Sequence, residues 1–111
     1  MSLVQLITTL GSKDEALDLA RAAVGARLAA CGQVAGPMNS IYRWQGDLQE
    51  SEEYFCIMKA PTEGLEALAA FVRERHPYDT PEITVVESLL TDDRYLTWAQ
   101  TETVGPRSPA D

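Results

Sequence analysis

The chain is poor in the residues that most metal, redox and nucleotide motifs require. It has one histidine and two cysteines in 111 residues. Cys31 and Cys56 form no CxxC pair and cannot build a disulfide framework, so a reducing cytoplasm is the expected location. Basic residues are also scarce, nine against seventeen acidic, for a net charge of −8. This excludes a nucleic-acid or anionic-membrane surface, since both require a basic patch. No apolar run approaches the length of a membrane span, and Met1–Leu10 lacks the basic leader and cleavage pattern of a signal peptide. There is no phosphate-cradling glycine loop, no metalloprotease helix motif and no nucleophile beside a base.

What remains is ordinary globular material, 45% hydrophobic and 23% charged, long enough for one domain with a true core. A single domain is expected over residues 1–104, with a mobile tail over 105–111, where two prolines and a serine occur without an apolar anchor. Leu3 to Ile7 reads as a short buried strand. Ser12 with Glu15 is a capping-box pattern, and Leu17, Ala20, Val24, Leu28 and Cys31 continue it as an amphipathic helix from about Ser12 to Cys31, with Gly32 as its stop.

From Val34 to Ala60 the period becomes two, with Gly46-Asp47 as the turn of a long hairpin. Such a turn sets Arg43 opposite Glu50 and puts Tyr42 and Trp44 on one face with Phe55 and Ile57. Gly36 and Pro37 predict a bulge or an edge. The acidic group Asp47, Glu50, Glu52 and Glu53 reads as a solvated tip. Thr62 is the expected N-cap of a second helix bearing Leu65, Leu68, Val72 and His76. A fourth strand follows over Ile83–Leu90, and Thr91 or Asp92 opens a short last helix carrying Tyr95, Leu96 and Trp98.

The order β, α, β, β, α, β is the split βαβ pattern of an α+β ferredoxin-like domain, a four-stranded antiparallel sheet with both helices on one face. The run Tyr54 to Met58 is continuously apolar, whereas a sheet with one wet face alternates. Both faces are therefore expected to be covered, which predicts a homo-oligomer closed by sheet-to-sheet packing.

Chemistry concentrates in His76, Pro77, Tyr78, Asp79, Thr80, Pro81, Glu82. Two prolines fix φ and restrict the residues before them, so the side chains between them are aimed. The same prolines also serve as simple punctuation between helix and strand. His76 can satisfy a free carbonyl at its helix end, or act with Asp79 and Glu82 around a cation or as an acid/base group. Cys31 and Cys56 are soft metal ligands by type and small core hydrophobes by position.

Leu28 to Cys31, then Ser40 to Gly46, Glu53, Lys59, His76 to Tyr78, Pro81 to Ile83, and Tyr95, Leu96 and Trp98 resemble, in order and spacing, the CutA family of divalent cation tolerance proteins. The resemblance runs from about Val4 to Thr103. It implies a non-enzymatic ferredoxin-like subunit in a tight homotrimer, linked to tolerance of copper and other divalent metals and similar in fold and assembly to PII signalling proteins. No cofactor is obligatory, and copper or another divalent cation is the implied ligand. Cys31 matches a cysteine considered a metal ligand, which with His76 and Glu82 makes the expected metal set. Trp44, Tyr78, Pro81 and Glu82 match positions lining a cleft between subunits. With one histidine per chain, a strong copper site needs ligands from several chains. The alternative the resemblance implies is a PII-like module that binds a small metabolite in that cleft and acts on a protein partner.

Overall fold

The computed structural model describes residues 2–104; the expected tail over 105–111 lies outside them. The elements are β1 (Leu3–Leu10), α1 (Lys13–Gly25), β2 (Cys31–Trp44), β3 (Asp47–Pro61), a 3₁₀ turn (Thr62–Gly64), α2 (Leu65–Arg75), β4 (Thr84–Glu87) and α3 (Asp93–Glu102). The strands form one sheet in the order β2-β3-β1-β4, every pair antiparallel. This is the ferredoxin-like α+β arrangement expected from the element order.

Alternation along β1 and β3 divides the sheet into two faces. Leu6, Leu10, Cys56, Met58 and Ala60 point to one side, where they close a core with Ala16, Leu19, Ala20 and Ala23 of α1 and Leu68 and Val72 of α2. On the other side, Leu3 packs with Ala30 and Ala99, so α3 covers one end of the opposite face.

Helix α1 ends at Gly25, six residues before the expected Cys31. Ala26 caps it, and Arg27 follows at φ 60°, a left-handed conformation that ends the helix. Cys31 is thus the first residue of β2. Gly32 is no helix stop. A Cβ there would lie 2.9 Å from Ala20 Cβ, so it marks where α1 presses against the sheet. That closeness also explains why the buried stripe is largely alanine, with Leu17 half-buried and Val24 exposed at its flanks. The Ser12 cap is as expected, its hydroxyl accepting from Glu15 N at 3.1 Å.

The hairpin turns at Gln45-Gly46, both at positive φ, one residue earlier than expected. Arg43 therefore faces Leu48, and Glu50 faces Ile41. The pairing slips by two positions in total, which preserves side-chain parity, and Tyr42 and Trp44 do share a face with Phe55 and Ile57. The bulge falls at Gly36-Pro37, between the pairs Ala35–Phe55 and Met38–Glu53. It coincides with the end of β1, whose last partner is Tyr54. Beyond it the hairpin is a free two-stranded ribbon, and the molecule measures 53 × 26 × 24 Å.

Thr62 does not cap α2, which starts after the 3₁₀ turn with Gly64 at its N-cap. The Thr62 hydroxyl is drawn instead to Ser2, donating to its carbonyl at 2.8 Å. Strand β4 is shorter than the Ile83–Leu90 expected, because β1 offers no partner beyond Leu3, which accepts Ser88 N at 2.9 Å. Leu89 and Leu90 are left 104% and 85% exposed. Asp92 is the N-cap of α3, its carboxylate accepting from Arg94 N at 3.0 Å.

Candidate functional site

Helix α2 delivers His76 to the flank of β1, and both ring nitrogens are engaged. Tyr78 N–H donates to Nδ1 at 3.1 Å, which leaves the proton on Nε2, and this donates to Thr9 O at 2.9 Å. The ring is 8% exposed. Burial lowers its pKa from the ordinary 6.5, against the raising influence of the Thr9 carbonyl and the charges of Glu15 and Glu53. His76 thus pins the start of the loop to the sheet as a neutral imidazole.

The pinned loop throws Tyr78 across to β3. Its ring meets His76 with centroids 4.8 Å apart, and its hydroxyl donates to Glu53 Oε2 at 2.9 Å. Burial, together with the Glu53 carboxylate, raises the Tyr78 pKa well above the usual phenol range, so the hydroxyl stays a donor. Glu53 is 8% exposed. It does not belong to a solvated tip, as its acidic neighbours suggested. The readable signal was parity: Glu53 shares the face of Phe55 and Ile57, whereas Glu50 and Glu52 fall on exposed positions of the other face.

Between the ribbon and the loop lies a cavity of about 660 Å³ lined by Thr9, by Ser40 to Trp44, by Glu53, and by Tyr78, Asp79, Thr80 and Glu82. Of the residues expected to line a cleft between subunits, Trp44, Tyr78 and Glu82 line this cavity within one chain, while Pro81 is half-buried and outside its wall. Thr9, Tyr42 and Arg43 join it, though the sequence reading had placed none of them in a cleft. Arg43 donates to Gly46 O at 3.3 Å, and Glu82 accepts from Thr84 Oγ1 at 2.9 Å.

The three expected metal ligands do not converge within one chain. Cys31 pairs with Lys59, which also pairs with Gln5, whereas His76 holds Thr9, four residues farther along β1. That offset is about 13 Å at strand spacing. Among the described residues, no group of three or more histidine, cysteine or acidic side chains could hold a metal ion. Cys31 is half-buried beside Tyr95, whose pKa is raised by burial and by contact with Cys31. Cys56 is fully buried, its thiol pushed up to about 11 by desolvation, and is the core residue its apolar strand predicted.

The sheet order, helices α1 and α2 on one face and the projecting hairpin define a ferredoxin-like α+β protein. A family model described as CutA1 divalent ion tolerance protein matches residues 4–102. The chain is 35% identical over 98 residues to the divalent-cation tolerance protein CutA of Thermus thermophilus, covering 88% of this chain and 95% of that one. It is 38% identical over 80 residues to the CutA of Pectobacterium atrosepticum, covering 72% and 73%. The solved structure of CutA from Synechococcus elongatus superposes with a TM-score of 0.87 at 36% identity, over 93% of this chain and 91% of that chain. The protein belongs to the CutA1 divalent ion tolerance family.

Proposed function

We propose that this divalent-cation tolerance protein acts as a non-enzymatic cytoplasmic homotrimer that binds a divalent cation, copper among them, weakly through Cys31. The observation that carries the assembly is the unpartnered apolar surface. Ile41 and Leu48 on the ribbon and Leu89 and Leu90 after β4 are at least 65% exposed, large apolar side chains left to water at both ends of the sheet. A two-stranded ribbon is also marginal alone and needs a further surface to lie on. Both cysteines are free, consistent with a reducing compartment, and no helix among the described residues is long and apolar enough to cross a membrane.

A cation site at Cys31 then needs equivalent residues from neighbouring copies, since the described residues of one chain gather no ligand set. Light scattering should give three times the chain mass, and a monomer would overturn the assembly. Calorimetry with Cu²⁺ and Zn²⁺ should show saturable uptake that Cys31→Ala removes. Uptake unchanged in that variant would remove Cys31 from the site. The non-enzymatic reading is supported by His76, whose ring nitrogens are both committed to the backbone.

A second reading is favoured by one observation, the cavity of about 660 Å³, whose size is that of a small-molecule site. In it, a metabolite held between the ribbon and the Tyr78 to Glu82 loop signals to a protein partner, as in PII-like modules. A thermal-shift screen of nucleotides, organic acids and amines tests it, because a ligand that binds only the folded state raises Tm.

A further inference from the structure

We infer that the cavity between the ribbon and the Pro-bounded loop takes a linear aliphatic di- or polyamine, an inference that rests on the small-molecule reading of that cavity. Its charged lining is unbalanced. Glu53, Asp79 and Glu82 supply three carboxylates against the single guanidinium of Arg43, a formal balance of 1 − 3 = −2. Arg43 is partly occupied with Gly46 O at the ribbon turn. An anionic metabolite would meet that excess as repulsion, whereas a cation is attracted, the more so in a chain of net charge −8.

The spacing of the carboxylates decides between kinds of cation. Glu53 comes from β3, whereas Asp79 and Glu82 come from the loop after α2. Among the described residues no three acidic, histidine or cysteine side chains gather closely enough to hold a metal ion. One compact dication therefore cannot satisfy them together. A chain with ammonium groups at separated positions can.

The walls between the carboxylates suit the rest of such a ligand. Tyr42, Trp44 and Tyr78 all line the cavity and are each about two-fifths exposed. Aromatic faces accept methylene segments by ordinary burial and ammonium groups through the ring quadrupole. Glu53 is the strongest anchor. It is 8% exposed, with Tyr78 as the hydrogen-bond partner of Oε2 and a second oxygen left to accept an N–H. Hydrogen bonds between an ammonium and a desolvated carboxylate are among the stronger ones available.

The test uses the full chain, with spermidine and putrescine as probes in calorimetry and in Trp44 fluorescence on a Trp98→Phe background. ATP, citrate and Zn²⁺ serve as comparison ligands. Saturable spermidine binding with a fluorescence change, weakened about tenfold by Glu53→Gln, supports the inference. Asp79→Asn, at an exposed loop position, should weaken binding severalfold and keeps the test valid if Glu53→Gln fails to fold. Equal weakening by Glu50→Gln and Glu52→Gln, which lie outside the cavity, would show diffuse attraction and overturn the inference. Binding of ATP or citrate with a Trp44 signal, and none of either amine, overturns the amine while sustaining the small-molecule cavity. No Trp44 response to any ligand overturns both, the cavity then being filled by a neighbouring copy or idle.

Discussion

The hydroxyl of Tyr78 donates to the buried carboxylate of Glu53 at 2.9 Å, joining two residues twenty-five positions apart on opposite walls of the cavity. This bond holds the loop against the ribbon. It also gives Glu53 the partner that a buried carboxylate requires.

Tyr78→Phe should therefore destabilise the protein by about 1–3 kcal/mol, because it leaves Glu53 desolvated without its donor. Thermal denaturation reads this as a fall of several degrees in Tm. Adding Glu53→Leu should recover part of the loss, since a pair replaced by apolar groups leaves nothing unsatisfied. An unchanged Tm in Tyr78→Phe would show that the bond contributes nothing.

The pH dependence follows from His76. Its folded pKa lies below 6.5, so in the window beneath 6.5 the unfolded chain binds the proton that the folded chain refuses. The His76 contribution is complete above pH 6.5 and is lost as pH falls toward the folded value. Protonation at Nδ1 also breaks the bond from Tyr78 N–H. As the chain has one histidine, its Cε1–H resonance titrates alone in the NMR spectrum. A midpoint below 6.5 is expected; one above it would contradict the burial argument.

Gly32→Ala tests the contact of helix and sheet. The new Cβ would stand 2.9 Å from Ala20 Cβ, a distance that forces α1 outward. A loss of about 1–3 kcal/mol in urea unfolding is expected, as for other overpacked cores. The compensating pair Gly32→Ala with Ala20→Gly should recover the steric part. No recovery would mean that the cost arises elsewhere on β2.

The two thiols should differ in the native protein. Cys56 is fully buried with its pKa pushed up to about 11, so it stays protonated and shielded at pH 8. Cys31 is half-buried. A disulfide reagent should therefore modify at most one thiol per native chain and two after denaturation, with Cys31→Ser abolishing the native reaction. Rapid modification of two thiols in the folded protein would refute the burial of Cys56.

Much of the site was legible before folding, though unevenly. His76, Tyr78 and Glu82 stood out because two prolines bound them into a short segment of mixed chemistry, and Tyr78 and Glu82 do line the cavity. Glu53 was misread. Glu50 and Glu52 beside it are exposed, and the alternation of β3 puts them on the other face. Arg43 was paired with Glu50 by a turn placed one residue late, an error that moved partners yet kept faces, because a slip of two positions preserves parity.

The sequence alone determined the element order, the division of β3 into faces, the bulge at Gly36-Pro37 and the cap at Ser12. All of these depend on local spacing or on the restricted backbone of single residues. Tertiary structure decided what separated segments do to one another. It ended β4 where β1 ran out of partners, turned the stripe of α1 toward its alanines because Gly32 admits the helix so closely, and moved Cys31 from a helix onto a strand. It also committed both nitrogens of His76 to the backbone and brought Tyr78 onto Glu53. Those outcomes rest on contacts between residues distant in the chain, whose distances no local periodicity encodes.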